Sequence, residues 1–215
     1  MKKAYEIKAH TLDFVNLLPM MEKEHMRRVG ALTGLLSKQV YEAGIYKDEA
    51  ALNGYKDFGR AASYHDIGKA WVPRELLMKN GVLTNEEARI LRLHPVHAKI
   101  MFEEIEDGVV FGIPEHLLHS ALQAAEFHHE RWDGRGYPYG LGTSESPLIA
   151  RITAICDVYD TITSKRAYKE ALNHDIACRE LRINAGTQFD PQIADVFIKN
   201  EAAFARRKRS NEFAP

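Results

Sequence analysis

Apolar residues recur at helical spacing along most of this 215-residue chain, and the alternation typical of β-strands is scarce. The pattern predicts a long first helix over about residues 20–43, with Val29 and Leu32 on its buried stripe. His25 lies four residues before Val29, so it continues this stripe and should face the interior. We therefore expect an all-α protein.

Other predicted apolar stripes also end in histidine. A second helix is predicted over about residues 48–66, and its apolar spacing leads to His65. A later helix, over about residues 115–129, carries two stripes that lead to His128 and His129. Packing alone does not readily explain why three helices should bring histidines to the interior.

Proline and glycine mark the remaining boundaries. Pro95 favours the first turn of a helix and makes His94 its expected N-cap. Residues 133–142 contain four glycines and are predicted to form a loop. A helix should follow over about residues 146–163. The last should begin near residue 190 and end in the basic run at 206–209, which we interpret as a solvated terminus.

Composition argues against several classes of protein. The chain has 29 Lys and Arg against 30 Asp and Glu, a net charge of −1, so it is not expected to bind a nucleic acid polymer. Cys156 and Cys178 stand apart, which predicts neither a disulfide framework nor a thiolate metal site. The isolated cysteines favour a reducing cytoplasm. No apolar run approaches the roughly 18 residues of a membrane span, so no membrane contact is expected.

The histidines have carboxylates as neighbours, and this favours a metal centre. A single histidine on an apolar stripe is more often a hydrogen-bonded core residue. However, Asp66 follows His65 directly, and its carboxylate can bridge two cations. Imidazole and carboxylate ligands suit iron, manganese or zinc. The candidate metal ligands are His65, Asp66, His94, His128, His129 and Asp157.

Such a centre predicts hydrolysis of a phosphate ester. Two metals about 3.5–4 Å apart share a hydroxide for in-line attack on phosphorus. The developing charge needs cationic support, and Lys69, one helical turn beyond His65, is the candidate donor. We therefore assign Lys69 and Asp66 catalytic roles. Arg166 and Lys169 follow the Asp157 helix and are candidates to bind a second phosphate, although by themselves they form only a basic turn.

Motifs along the chain resemble the HD-GYP domain, a branch of the HD metal-dependent phosphohydrolases. The match covers about residues 20–200, after a lead segment at 1–19 and before a basic tail at 201–215. The motifs, in chain order, are His65-Asp66-Ile67-Gly68-Lys69, residues 81–87, His94-Pro95, residues 128–138 with Gly136-Tyr137-Pro138 intact, residues 150–152, 157–160 and 166–169, and Phe189-Asp190-Pro191.

The resemblance implies a single-domain helical bundle around a buried metal centre. It implies hydrolysis of cyclic di-GMP to linear pGpG, and in some members onward to GMP. Iron or manganese is the expected metal, with zinc, nickel or cobalt as alternatives. By the same resemblance, Lys69, Arg166 and Lys169 contact phosphate, and the loop Gly136-Tyr137-Pro138 borders the substrate cleft.

Two other functions remain open. One is a phosphodiesterase for another cyclic dinucleotide, such as cyclic GMP-AMP. The other is a non-catalytic receptor that binds cyclic di-GMP and docks a partner. Relatives commonly carry a sensory domain ahead of this module, but only about twenty residues precede the match here. The input signal is therefore expected either to be missing or to come from a separate regulatory protein.

One position departs from the family pattern. In relatives with a third metal, a glutamate lies one turn before the histidine that corresponds to His25, and here that position is Met21. A thioether is a poor ligand for a hard cation. Glu22 is a candidate substitute, but two metals are the simpler expectation. His25, Glu22 and Asp160 are expected at the periphery of the site.

Overall fold

The structure, a computed structural model, describes residues 9–164 and 173–209, with side chains as far as residue 207. Helices dominate this part of the chain, and the predicted all-α class is confirmed. The α-helices are α1 Thr11–Leu17, α2 Met20–Glu42, α3 Lys47–Leu52, α4 Phe58–Ala62, α5 Arg74–Leu77, α6 Asn85–Leu91, α7 His94–Glu106, α8 Glu115–Phe127, α9 Leu148–Thr163, α10 His174–Ile183, α11 Pro191–Lys199 and α12 Glu201–Arg209. Single 3-10 turns span Tyr55–Asp57, Ile67–Trp71 and Thr143–Glu145.

Helix α2 is the centre of the bundle and packs against α4 and α9. Its predicted stripe is correct, because Val29 and Leu32 are fully buried and His25 is 2 % exposed. Helix α8 covers the other side of α4, and α7 packs against α8. Helices α2, α4, α7, α8 and α9 therefore surround the interior that receives the histidines.

Two predicted helices are interrupted in the structure. The segment 48–66 breaks at Gly54, whose φ of 67° lies in the left-handed region, and α4 then ends at Ala62. His65 and Asp66 consequently lie in the turn that leads into the 3-10 helix Ile67–Trp71 instead of on a helix. The predicted last helix breaks at Asn200 into α11 and α12.

Both ends of the described chain pack on the bundle. Strand β1, Ala9–His10, pairs in parallel with β2, Val110–Phe111. Phe14 of α1 stacks on Trp71 with ring centroids 5.0 Å apart. Phe204 of α12 is fully buried, so the segment before the basic run contributes to the core. The boundaries at residues 20 and 200 stay predictions.

A buried arginine joins distant parts of the bundle. Arg151 of α9 donates to Asp190 at 2.9 Å and to Glu49 at 2.8 Å, and its guanidinium lies 4.5 Å from the ring centroid of Tyr46. These contacts connect α9 to α3 and to the start of α11. The family motifs at residues 150–152 and 189–191 therefore have a structural explanation. No helix in the described ranges is both long and apolar enough to cross a membrane.

Candidate metal centre

Three buried histidines have their tautomers fixed by backbone carbonyls. The Nδ1 atoms of His65, His94 and His128 lie 3.0, 2.8 and 2.9 Å from the carbonyl oxygens of Ala62, Leu91 and Ala124. A carbonyl only accepts hydrogen bonds, so each Nδ1 is the protonated donor. Each Nε2 therefore presents a lone pair, which is the arrangement of metal-binding histidines.

The Asp66 carboxylate lies between two sets of these lone pairs. Its Oδ1 is 3.2 Å from His94 Nε2 and 3.7 Å from His128 Nε2. Its Oδ2 is 3.2 Å from His65 Nε2 and 3.6 Å from His25 Nε2. Each carboxylate oxygen thus faces a different pair of imidazoles, as a bridge between two cations requires.

The candidate ligands form two groups with ligand atoms within 4.8 Å of one another. One group contains Asp66, His94, His128 and His129, and the other contains His25, His65 and Asp157. The structure brings all six predicted ligands together around Asp66. It also places His25 within the second group, 3.0 Å from Asp157 Oδ1, where only a peripheral position was expected.

The donor set fits divalent cations. The Nε2 atoms of His94 and His128 lie 3.4 Å apart. In neutral rings whose Nδ1 atoms donate to backbone carbonyls, both Nε2 atoms present lone pairs. Two lone pairs at this distance repel each other unless a cation or a proton lies between them. His65 Nε2 is buried and makes no hydrogen bond to the residues described here. Buried polar atoms normally have a bonding partner, and metal ions would provide one for the Nε2 atoms of His65, His94 and His128.

Asp160 supports His25 from behind. Its Oδ2 accepts a hydrogen bond from His25 Nδ1 at 2.7 Å, so Nε2 of His25 faces the cluster as a lone pair. Arg28 binds both oxygens of the same carboxylate, at 2.8 and 2.9 Å, and Ser164 donates to it at 2.9 Å. The peripheral position expected for Asp160 agrees with this geometry.

Lys69 lies beside the bridging carboxylate. Its Nζ donates to Asp66 Oδ2 at 2.7 Å and to Glu22 Oε2 at 2.8 Å. Glu22 is buried, and its Oε2 faces Lys69. The Glu22 carboxylate therefore positions the ammonium, and we do not assign it the role of a substitute metal ligand.

The site stabilises the protonation states that a metal requires. Burial alone would raise the pKa of the Asp66 carboxyl, but the Lys69 ammonium and His65 hold it well below its usual range. Burial and the neighbouring His94 lower the pKa of His129 to about 3. Burial and His129 likewise hold the pKa of His128 far below its usual value. Ionised carboxylates and neutral imidazoles are the forms that bind metal.

Glycines allow the surrounding segments to approach closely. A Cβ on Gly68 would lie 2.0 Å from the carbonyl oxygen of His94, so only glycine lets the Asp66 turn pack against the start of α7. Helix α7 begins at His94 and its N-cap is Leu93, whereas the sequence predicted His94 as the N-cap. A Cβ on Gly136 would overlap the backbone at His129, Glu130 and Arg131, and the ring of Tyr137 stacks on His129 at 4.6 Å.

Two cavities open beside the cluster. One, of about 300 Å³, has His128, His129 and Asp157 in its wall together with Tyr137. Three arginines that the sequence analysis did not identify also line it, namely Arg92, Arg131 and Arg135. Arg131 and Arg135 lie within the motif at residues 128–138, and this motif was the sequence signal that could have identified them. The second cavity, of about 420 Å³, is lined by Lys69 and Glu22.

The remaining predicted substrate contacts are only partly placed. Gly136 and Tyr137 line the first cavity, and Pro138 follows Tyr137 through a cis peptide bond. Arg166 and Lys169 lie outside the described residues.

Comparison with known proteins gives the family. The family model described as HD domain matches residues 24–193, which include the six predicted ligands and His25. The chain belongs to the HD domain family. A Vibrio cholerae protein named probable cyclic di-GMP phosphodiesterase is 34 % identical over 180 residues, which are 84 % of this chain and 40 % of that protein. This supports the HD-GYP resemblance within the HD domain family.

Two other matches refine the comparison. A Vibrio cholerae protein named 3'3'-cGAMP-specific phosphodiesterase 2 is 33 % identical over 142 residues, covering 65 % of this chain and 25 % of that protein. The HD domain chain thus spans less than half the length of either relative. Bd1817, described as an HDG"Y"P protein from Bdellovibrio bacteriovorus, superposes with a TM-score of 0.57 at 15 % identity, covering 81 % of this chain and 52 % of that one. The superposition supports the fold.

Proposed function

We propose that this chain hydrolyses a phosphodiester bond of cyclic di-GMP, giving linear pGpG, at a centre of two divalent metals. The observation that carries the proposal is the position of Asp66, whose two oxygens face separate imidazole pairs. The names of the relatives supply the substrate class. Bound at this site, two metals would supply an activated hydroxide and Lewis-acid contacts to phosphate oxygens.

The ligand sets follow from the two groups. We assign His94, His128 and His129 to one metal and His25, His65 and Asp157 to the other, with Asp66 shared. Iron or manganese is our first expectation, and zinc, nickel and cobalt remain alternatives because the same ligand types bind them.

Lys69 is the proposed donor to the reacting phosphate. Its ammonium donates to Glu22 and to the shared ligand Asp66, and in this position it is within reach of an oxygen of a phosphate bound at the centre. Such a donor stabilises charge that develops in the transition state. Gly136, Tyr137 and Pro138 would form one wall of the cleft.

The arginine-lined cavity is the proposed place for the second phosphate. Arg92 and Arg135 contribute two positive charges to its wall beside His129. Arg131 is held by Asp133 at 2.8 Å, so its charge is already paired. Arg166 and Lys169 stay predictions as further phosphate contacts.

The test is product analysis with purified protein loaded with Fe²⁺, Mn²⁺ or Zn²⁺ in turn. Cyclic di-GMP, 3'3'-cyclic GMP-AMP and cyclic di-AMP would be supplied separately and the products separated by chromatography. We expect pGpG from cyclic di-GMP, and no product from an Asp66→Ala variant. Tight binding of cyclic di-GMP without hydrolysis under any metal would overturn the enzyme proposal and favour the receptor. Faster cleavage of cyclic GMP-AMP would favour the other phosphodiesterase, whose relative is also similar.

We further propose two metals per chain. Met21 supplies no carboxylate, and Glu22 Oε2 binds Lys69. Metal analysis of the unmodified protein should give two ions, and Met21→Glu should raise that number. Three ions in the unmodified protein would refute this part. A regulatory partner and a cytoplasmic location stay predictions.

A further inference from the structure

The second cavity differs in chemistry from the arginine-lined one. It has a volume of about 420 Å³, within the range of small-molecule pockets. Much of its wall is apolar, formed by Leu76, Leu77, Leu83 and Leu91. A carboxylate, Glu22, and an ammonium, Lys69, stand at one side of this apolar wall. An apolar pocket with a few convergent polar groups is suited to a flat heteroaromatic ring.

The position of this cavity suits one arm of a cyclic dinucleotide. Lys69 lines the cavity and also contacts Asp66, so the cavity begins at the proposed phosphate site. Leu91 lines this cavity, and the next residue, Arg92, lines the other. A ligand with its scissile phosphate at the centre therefore has one cavity available on each side. A base attached through its ribose to that phosphate would enter the apolar one.

The polar groups of the cavity favour a base with hydrogen-bond donors. Lys79, also in the wall, is paired with both oxygens of Glu87 at 2.7 and 2.6 Å. Lys69 offsets the charge of Glu22. The Glu22 carboxylate is 4 % exposed, so a hydrogen bond to it would be screened little by water.

Guanine and adenine differ at the edge that a carboxylate would contact. Guanine presents two adjacent donors, N1–H and the exocyclic amine, which match the two oxygens of a carboxylate. Adenine presents one amine donor next to the N1 acceptor, whose lone pair repels a carboxylate. Loss of one hydrogen bond to a charged group weakens binding by roughly tenfold or more, so this difference is large enough to select between bases.

We propose that this cavity binds a guanine base of the substrate and that Glu22 is the residue that distinguishes guanine from adenine. The inference rests on the proposed function and deepens it by naming the base beside the scissile phosphate. Glu22 then has two roles, because it also orients Lys69. The two roles are separable. Loss of the Lys69 orientation lowers kcat/KM equally for every substrate, whereas loss of base recognition changes the ratio of kcat/KM between the guanine and adenine substrates.

The experiment compares Glu22→Gln with Glu24→Gln, a matched change at an exposed position of the same helix. For each protein, kcat/KM would be measured with cyclic di-GMP and with cyclic di-AMP. We expect the unmodified protein and Glu24→Gln to favour cyclic di-GMP. Glu22→Gln should lower that ratio by about tenfold or more, because glutamine has one acceptor oxygen and its amide NH2 group is a donor that would face a guanine donor. An unchanged ratio, or a preference of the unmodified protein for cyclic di-AMP, would overturn the inference.

A binding measurement separates this inference from the proposed function. Calorimetric titration of the metal-loaded protein with GMP and with AMP does not depend on hydrolysis. A guanine preference that Glu22→Gln abolishes would support the base site even if no cyclic dinucleotide is cleaved. Equal binding of both nucleotides by an active enzyme would leave the phosphodiesterase in place and refute the base site.

Discussion

Asp160→Asn tests whether His25 is a metal ligand. Asp160 is fully buried and accepts hydrogen bonds from His25, from Nε and Nη2 of Arg28 and from Ser164. Asparagine keeps the shape but replaces one accepting oxygen with an amide NH2 group, which only donates hydrogen bonds. His25 then loses the carboxylate that fixes its tautomer, or Arg28 loses half of its paired contact.

The expected magnitude follows from these contacts. Loss of the carboxylate behind a ligating histidine lowers metal affinity by about 10–100-fold, or about 1.4–2.8 kcal/mol. Removing one partner of a buried ion pair costs about 3–5 kcal/mol of stability. The side chain of Arg28 is 16 % exposed, so water will reduce that cost toward or below the lower limit.

Metal titration with a competing chelator distinguishes the two sites. We expect Asp160→Asn to weaken one of the two metals and leave the other, since His94, His128 and His129 form the opposite group. Ser164→Ala is the control, because it removes one hydrogen bond to Asp160 and leaves the contacts of His25 and Arg28. If both metals bind Asp160→Asn with unchanged affinity while its stability falls, Asp160 is only a structural anchor and His25 is not a ligand.

Three further outcomes are expected. Asp66→Ala should lose both metals, because the bridge belongs to both groups, and retention of either at full occupancy would contradict bridging. Lys69→Ala should lower kcat with metal content unchanged, whereas Arg135→Ala should chiefly raise KM. Steady-state kinetics measure both parameters. Equal effects on kcat and KM in both variants would refute these roles. Protein without bound metal should lose stability as the pH falls from about 6.5 toward 3. Burial and His94 lower the pKa of His129 in the folded protein to about 3. In the unfolded chain the same histidine takes up a proton at about pH 6.5, so acid favours unfolding. Urea unfolding should show a slope of up to about 1.4 kcal/mol per pH unit from this group, and His129→Gln should flatten it.

The donor groups of the cluster predict that bound cations stabilise the fold. Its imidazole lone pairs face one another and the Asp66 carboxylate in a buried space. Lys69 supplies one compensating charge there. We therefore expect chelation to lower the melting temperature and metal addition to restore it, as linkage requires for any ligand that binds only the folded state.

The sequence by itself determined the helical class and most of the candidate ligands. Helical periodicity is a local property, so the stripes that end in His25, His65 and His128 could be recognised without a structure. Asp66 was predicted to be a bridging ligand because it follows His65 directly. The breaks at Gly54 and Asn200 were missed because apolar spacing continues across both turns.

Only the tertiary structure decided how the site is supported. His25 and Asp160 are 135 positions apart, and Lys69 and Glu22 are 47 apart, so no spacing rule connects either pair. Such contacts depend on how α2 crosses α9 and on how closely Gly68 lets the Asp66 turn approach α7. Packing of helices distant in sequence therefore determined the supporting carboxylates, the arginine-lined cavity and the apolar cavity, whereas residue type and local spacing had already determined most of the ligand set.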